Sequence, residues 1–179
     1  MTYQLSPHGA HYVGTIGPLV MVTACEGVLA GSLVRALAPR PIHVVANEAM
    51  SEAVPLGMLT KAGDLALSGL GAITTQRRAA LAILDERAVL LAGSTVAPGY
   101  LLATTGAPVM PVVLIGAEGK VPTDPPRPRS RIEVFFFPPV TIPVDGDPLA
   151  ASTRTALNER VRQLVADAGR EALMRTGGR

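Results

Sequence analysis

The sequence predicts an α/β fold, a mostly parallel central sheet flanked by helices, on three observations. Short apolar runs rich in β-branched residues recur along the chain, segments of helical spacing fall between them, and proline, glycine and asparagine punctuate the joins. A strand buried on both faces reads as a continuous hydrophobic run rather than as an alternation, and these runs have that form. With 179 residues, 48% of them hydrophobic and 17% charged, the chain carries enough apolar surface for one core, and residues 1–179 read as one domain.

The first run, Pro18 to Ala24, is a buried strand, and Gly27 to Leu37 follows as a helix that stops before Pro39. Pro41 to Ala46 is a second strand, β-branched and bounded by proline and Asn47, while Met50 to Lys61 and Gln76 to Glu86 carry helical spacing. Ala88 to Ala117 holds no charged residue and exceeds the roughly 20 residues of a spanning helix. Gly93-Ser94-Thr95, Pro98-Gly99, Thr104-Thr105-Gly106 and Ala107-Pro108 break it, however, into a strand (Ala88 to Ala92), a turn, a short helix, a turn and a strand (Val109 to Ile115), which argues against a span. Lys120 to Arg131 is an exposed Pro/Arg-rich loop, and Ile132 to Phe137 resumes as a strand. Asp147-Pro148 reads as a helix N-cap with proline in the first helical position, opening an amphipathic helix over about 147–175 in which Leu157, Val161, Leu164 and Ala168 repeat.

Composition excludes several classes of function. Sixteen Lys+Arg against fourteen Asp+Glu leave a formal charge of +2, and there is no Trp, so neither the field nor the stacking platform of a nucleic-acid binder is present. A single cysteine, Cys25, cannot form an internal disulfide, and with His8, His11 and His43 dispersed it makes no zinc spacing; no metal and no cofactor are expected. The opening residues lack a basic region followed by an apolar one, so the expected setting is cytoplasmic, with peripheral membrane contact left open.

Four segments in order, Gly17-Pro18-Leu-Val-Met-Val-Thr, Pro41-Ile-His-Val-Val-Ala, Thr105-Gly-Ala-Pro-Val-Met-Pro-Val112 and Arg131-Ile-Glu-Val-Phe-Phe-Phe-Pro-Pro139, resemble the lysophosphatidic acid (glycerophospholipid) acyltransferase family, over roughly residues 10–143. That resemblance implies the α/β fold read above and a site after the first strand. There the family carries Asn-His-x-x-x-x-Asp, the histidine as general base on the acceptor hydroxyl and the aspartate orienting its ring. Here the histidine position holds Cys25 and the aspartate position Ala30. A thiol with an ordinary pKa near 8.5 is a poor base for an alcohol, and alanine orients nothing. The family's Phe-Pro-Glu-Gly-Thr-Arg-Ser block corresponds to Leu90-Leu-Ala-Gly-Ser-Thr95, with Ala92 at the glutamate position and Thr95 at the arginine position. A further phosphate-binding arginine would fall near Leu65 to Gly69, where none stands, and the residues before Gly17 do not read as the family's N-terminal membrane-associating segment, so none is expected. Without these cations the bidentate recognition of a phosphate monoester is gone.

The candidate ligand-binding residues are therefore Cys25, Glu26, Gly93, Ser94 and Thr95, with Cys25 the one catalytic candidate as a thiol nucleophile. The reading that follows is a pseudoenzyme: an acyltransferase-like protein that binds a lipid, an acyl chain or a protein partner without transferase chemistry. Two alternatives stand beside it, an acyltransferase or thioesterase with relocated chemistry using Cys25, and a purely structural subunit of an oligomer or complex. Met21, Met50 and Met58 are candidates for an apolar lining or for ordinary core. Arg127, Arg129 and Arg131 read as a solvated loop or a basic rim toward anionic head groups, His43 as a structural strand residue, and His8 and His11 as surface residues of a loosely held terminus.

Overall fold

The computed structural model describes residues 3–14, 17–46, 71–93 and 96–177. Its strands are β1 (Gln4–His8), β2 (Leu19–Thr23), β3 (Ile42–Ala46), β4 (Ala88–Ala92), β5 (Val109–Ile115) and β6 (Arg131–Phe136), joined in one sheet in the order β1-β6-β5-β2-β4-β3. The helices are α1 (Ala30–Leu37), α2 (Ala72–Leu84), α3 (Pro98–Thr105) and α4 (Ala151–Gly177), with a short 3-10 turn at Ala10–Gly14. The helix expected over Met50 to Lys61, together with Met50, Met58, Leu65 to Gly69, Ser94 and Thr95, lies outside the described residues. Among the described residues no helix is long and apolar enough to cross a membrane.

Neighbouring strands run parallel throughout except at β5 and β6. That exception has a local cause. A parallel return needs a crossover of a dozen or more residues, usually helical, and the proline-studded loop between β5 and β6 supplies no helix, so β6 comes back antiparallel. β5 is the seam of the sheet. Its first half pairs with β2 as far as Pro111, and its second half, from Val112, pairs with β6. Proline has no N–H to donate, so it falls where one ladder gives way to the other; its carbonyl still accepts the Phe137 N–H at 3.1 Å.

The two faces of the sheet bury alternate residues of each strand. On one face Leu19, Met21, Val44, Leu90, Met110 and Ile132 pack with Ala30, Leu33 and Val34 of α1. Met21 is thus ordinary core. On the other, Val20, Val45, Val89, Leu91 and Val109 pack with Ala79 and Ile83 of α2, Leu101 and Leu102 of α3, and Leu157, Val161 and Val165 of α4. The far half of α4 lays Ala168 and Ala172 on Phe135 and Phe137. Each fully buried Leu, Val, Ile or Met in these layers contributes about 1.5–3 kcal/mol of burial.

Three details differ from the sequence reading. β1 is a strand, paired with β6 from Gln4↔Arg131 to His8↔Phe135, where a loosely held terminus was expected. His8 stacks on Phe135 with ring centroids 4.3 Å apart and meets the Glu133 carboxylate at 3.2 Å, so it is held by a neighbour 125 residues away that no local pattern announces. α4 opens at Ala151 rather than at Asp147-Pro148, because Asp147 closes its own turn: its carboxylate accepts the Leu149 N–H at 2.9 Å and its carbonyl the Ala150 N–H at 3.0 Å. α2 starts earlier than Gln76, at Ala72, and stops at Leu84, where Glu86 takes a left-handed φ of 57°. The Glu86 N–H bonds the Ile83 carbonyl and the Arg87 N–H the Ala82 carbonyl, both at 3.0 Å, the pattern of a Schellman stop built without glycine.

Candidate functional site

In an open parallel sheet ligands bind beyond the carboxyl ends of the strands, where the chain leaves for its helices. β2 delivers its chain to such a place. After Thr23 the backbone turns: the Cys25 N–H donates to the Thr23 hydroxyl at 3.1 Å, the Ala30 N–H to the Gly27 carbonyl at 2.9 Å, and α1 begins at Ala30. Gly27 is needed here by close approach, since a Cβ on it would stand 2.7 Å from the Ala117 carbonyl oxygen and 3.5 Å from the Cys25 sulfur. The Val28 N–H donates to the Pro122 carbonyl at 2.9 Å and ties this turn to the chain that leaves β5.

Between the two turns lies a cleft of about 250 Å³, lined by Ala24, Glu26, Gly27, Glu118, Lys120 and Pro122. A second groove of about 630 Å³ continues from it along Glu118, Gly119 and Lys120 to Pro125, Arg127 and Ser130. The smaller space falls below the ~300–1,000 Å³ of typical small-molecule pockets and the larger falls within it. The cleft carries charges of both signs, and the groove adds proline faces.

Cys25 does not open into this cleft. It is 6% exposed and belongs with Ala30, Ala92 and Ala117 to the core between the sheet and α1. Burial pushes its thiol above the ordinary range, against a smaller lowering by the Gly27 N–H, and the Glu118 and Glu26 carboxylates push it further up. A thiol so placed stays protonated at neutral pH and is a weak nucleophile. Ala30, where the resemblance has an aspartate, is fully buried, and so is Ala92, where it has a glutamate.

The structure brings some of the sequence candidates together and separates others. Glu26 lines the cleft, exposed. Gly93 follows β4 at the same end of the sheet, since Thr23 and Ala92 are paired, and takes a left-handed φ of 54°. Among the described residues no histidine reaches Cys25: His8 is on Glu133 and Phe135, His11 lies tilted against the Tyr12 ring, and the His43 Nε2 accepts from Arg87 at 3.4 Å. Arg131 is drawn out of the proposed basic rim by an ion pair with Glu133 at 3.1 Å, which leaves Arg127 and Arg129 exposed on the loop. Sequence reasoning missed Glu118 and Lys120, which lie more than ninety residues from Cys25. The available signal was their place directly after the Gly106-Ala-Pro-Val-Met-Pro-Val112 strand, whose carboxyl end lies beside that of β2.

No protein-family model matches the chain, and no curated protein matches it. Among solved structures it is similar to the 1-acyl-sn-glycerophosphate (LPA) acyltransferase PlsC from Thermotoga maritima, with a TM-score of 0.61 and 15% sequence identity, covering 95% of this chain and 72% of that one. At that identity the likeness is one of backbone, and chemistry has to be argued from side chains. The chain thus has the fold of an LPA acyltransferase, a mixed α/β sheet covered by helices on both faces.

Proposed function

We propose that this is an acyltransferase-like protein without transferase chemistry, which binds a lipid or acyl chain in the groove that runs from Glu26 and Glu118 to Arg127. One observation carries the reading: the turn after β2, where the resemblance has its base and orienting acid, holds a buried thiol and a buried methyl group, Cys25 and Ala30. Neither moves a proton at neutral pH. The acceptor's phosphate also lacks a cationic fork, since Thr95 stands at the arginine position of the second block and Lys120, a cation lining the cleft, shares it with the Glu26 and Glu118 carboxylates.

Binding is supported by the groove of about 630 Å³, which Pro125, Pro126 and Pro128 supply with apolar surface and Lys120 and Arg127 with charge for a head group or carboxylate. The relocated-thiol reading finds less support, because a nucleophilic cysteine needs an adjacent base and access, and Cys25 has neither among the described residues.

Two assays test the proposal. Native mass spectrometry of the purified protein, followed by solvent extraction, is expected to yield a bound fatty acid or phospholipid. Incubation with an acyl thioester and lysophosphatidate is expected to give no turnover above the protein-free rate. Acyl transfer that Cys25→Ala abolishes would sink the proposal, and a clean mass with a defined multimer or partner would replace it with the assembly reading.

A further inference from the structure

We infer that the outer face of α2 docks on an anionic lipid surface. The helix buries Thr75, Ala79, Ala80 and Ile83 against the sheet and α3, as its place in the fold requires. Its opposite face is not the polar one expected of a surface helix. Ile73 is 69% exposed, Leu81 66% and Leu84 58%. At 100° per residue these three fall within an arc of about 80°, with Arg77 inside it and Arg78 about 60° beyond its edge.

The charges decide what such a face meets. Ala72–Leu84 contains no acidic residue, and Arg77 and Arg78 have no ion-pair partner among the described residues. α4 shows the contrast: its Arg160, Arg162, Arg170 and Arg175 are each paired, with Asp145, Glu159, Asp167 and Glu171. At the end of α2 the Asp85 carboxylate is taken by Arg87 at 2.9 Å, and Glu86 lies beyond the last turn. A face that combines large aliphatic side chains with uncompensated arginines complements a partner that is apolar and negative at once.

Three occupants have part of that character, and Arg77 separates them. A second copy packed face to face would bring Arg77 against Arg77 with no carboxylate between. A protein groove would need one carboxylate at one register in an otherwise apolar wall. A bilayer of anionic lipids presents phosphates everywhere at head-group level, so arginines extend sideways to them while Ile73, Leu81 and Leu84 enter the acyl boundary. This inference rests on α2 alone and is independent of what the groove binds.

Sedimentation of the full chain with vesicles tests it. The protein is expected to partition onto vesicles of equal phosphatidylglycerol and phosphatidylcholine, to ignore phosphatidylcholine alone, and to release as salt is raised. Each arginine near such a surface is worth about fivefold in partition, so Arg77→Gln with Arg78→Gln should lose about thirtyfold. Leu81→Gln with Leu84→Gln should lose about tenfold or more, and Arg162→Gln with Arg170→Gln, the same change of charge on α4, should change little. All these positions are exposed, so the variants should fold as the parent does. No partition by the parent, partition indifferent to the α2 variants, or partition that falls as far in the α4 variant as in the α2 variants would each overturn the inference. So would a dimer on size exclusion that the α2 variants dissociate, which would assign the face to a second copy.

Discussion

Cys25 illustrates how little a residue's place in the sequence says about its reactivity. The thiol stands at the position where the resemblance has a base, yet its raised pKa, set first by burial, makes it a packing group. Its titration has a sign that can be checked. A folded pKa above the unfolded value of about 8.5 means that the native state holds its proton longer, so the contribution is intact below that value and is lost as pH rises through the folded one. Urea unfolding at pH 7 and pH 10 should therefore show the parent losing more stability over this interval than Cys25→Ala. A thiol-specific disulfide reagent should react slowly with the native protein and fast in urea. Glu133 is the opposite case, a carboxylate 7% exposed that holds His8 on one oxygen and Arg131 on the other. Glu133→Ala should cost about 1–3 kcal/mol in denaturant unfolding, mostly by stranding the two partners, which are themselves partly exposed and rehydrate.

Elements were legible where their burial is written into consecutive residues. β2, β4 and β5 are apolar almost throughout because a helix covers each face of the sheet, β3 departs from that only at His43 and β6 at Arg131 and Glu133, and a run such as Ala88–Ala92 admits few other readings. β1 was not legible. Gln-Leu-Ser-Pro-His is a polar edge strand with a proline, and what makes it a strand is pairing with β6 and the Glu133 carboxylate, neither of which is local. The ends of α2 and α4 were misread for a related reason, since a turn that closes on itself at Asp147 and a left-handed Glu86 are settled by backbone bonds that composition does not encode. The Glu86 stop predicts a gain: Glu86→Gly should raise stability by about 0.5–1 kcal/mol in a denaturant titration, because glycine takes φ of 57° without the steric cost that a side chain incurs. α3 starts from a cap lent by another helix, the Asn158 carboxamide of α4 accepting the Gly99 N–H at 2.6 Å. Asn158→Ala should cost about 1–2 kcal/mol, read in the same titration.

At the scale of the whole molecule the candidate site is a meeting of two distant stretches, Ala24–Gly27 and Glu118–Pro122, brought side by side because β2 and β5 are neighbours. The first stretch was legible from the resemblance; the second depended on a strand order that crosses from β5 to β2 and cannot be counted off the chain. The same non-local order makes β1 part of the far side of the sheet. Deleting residues 1–8 should speed amide exchange in β6, which loses its outer partner, while β2, β4 and β3 keep their protection. The parallel pairing of β1 with β6 also bears on mechanics. A load applied between Gln4 and the chain beyond Phe136 draws two strands of the same direction past each other, so their rungs from Gln4↔Arg131 to His8↔Phe135 resist together rather than opening one by one. Once α4 has peeled off, the polar edge strand acts as a shear clasp that spares the cleft between β2 and β5 until it slips.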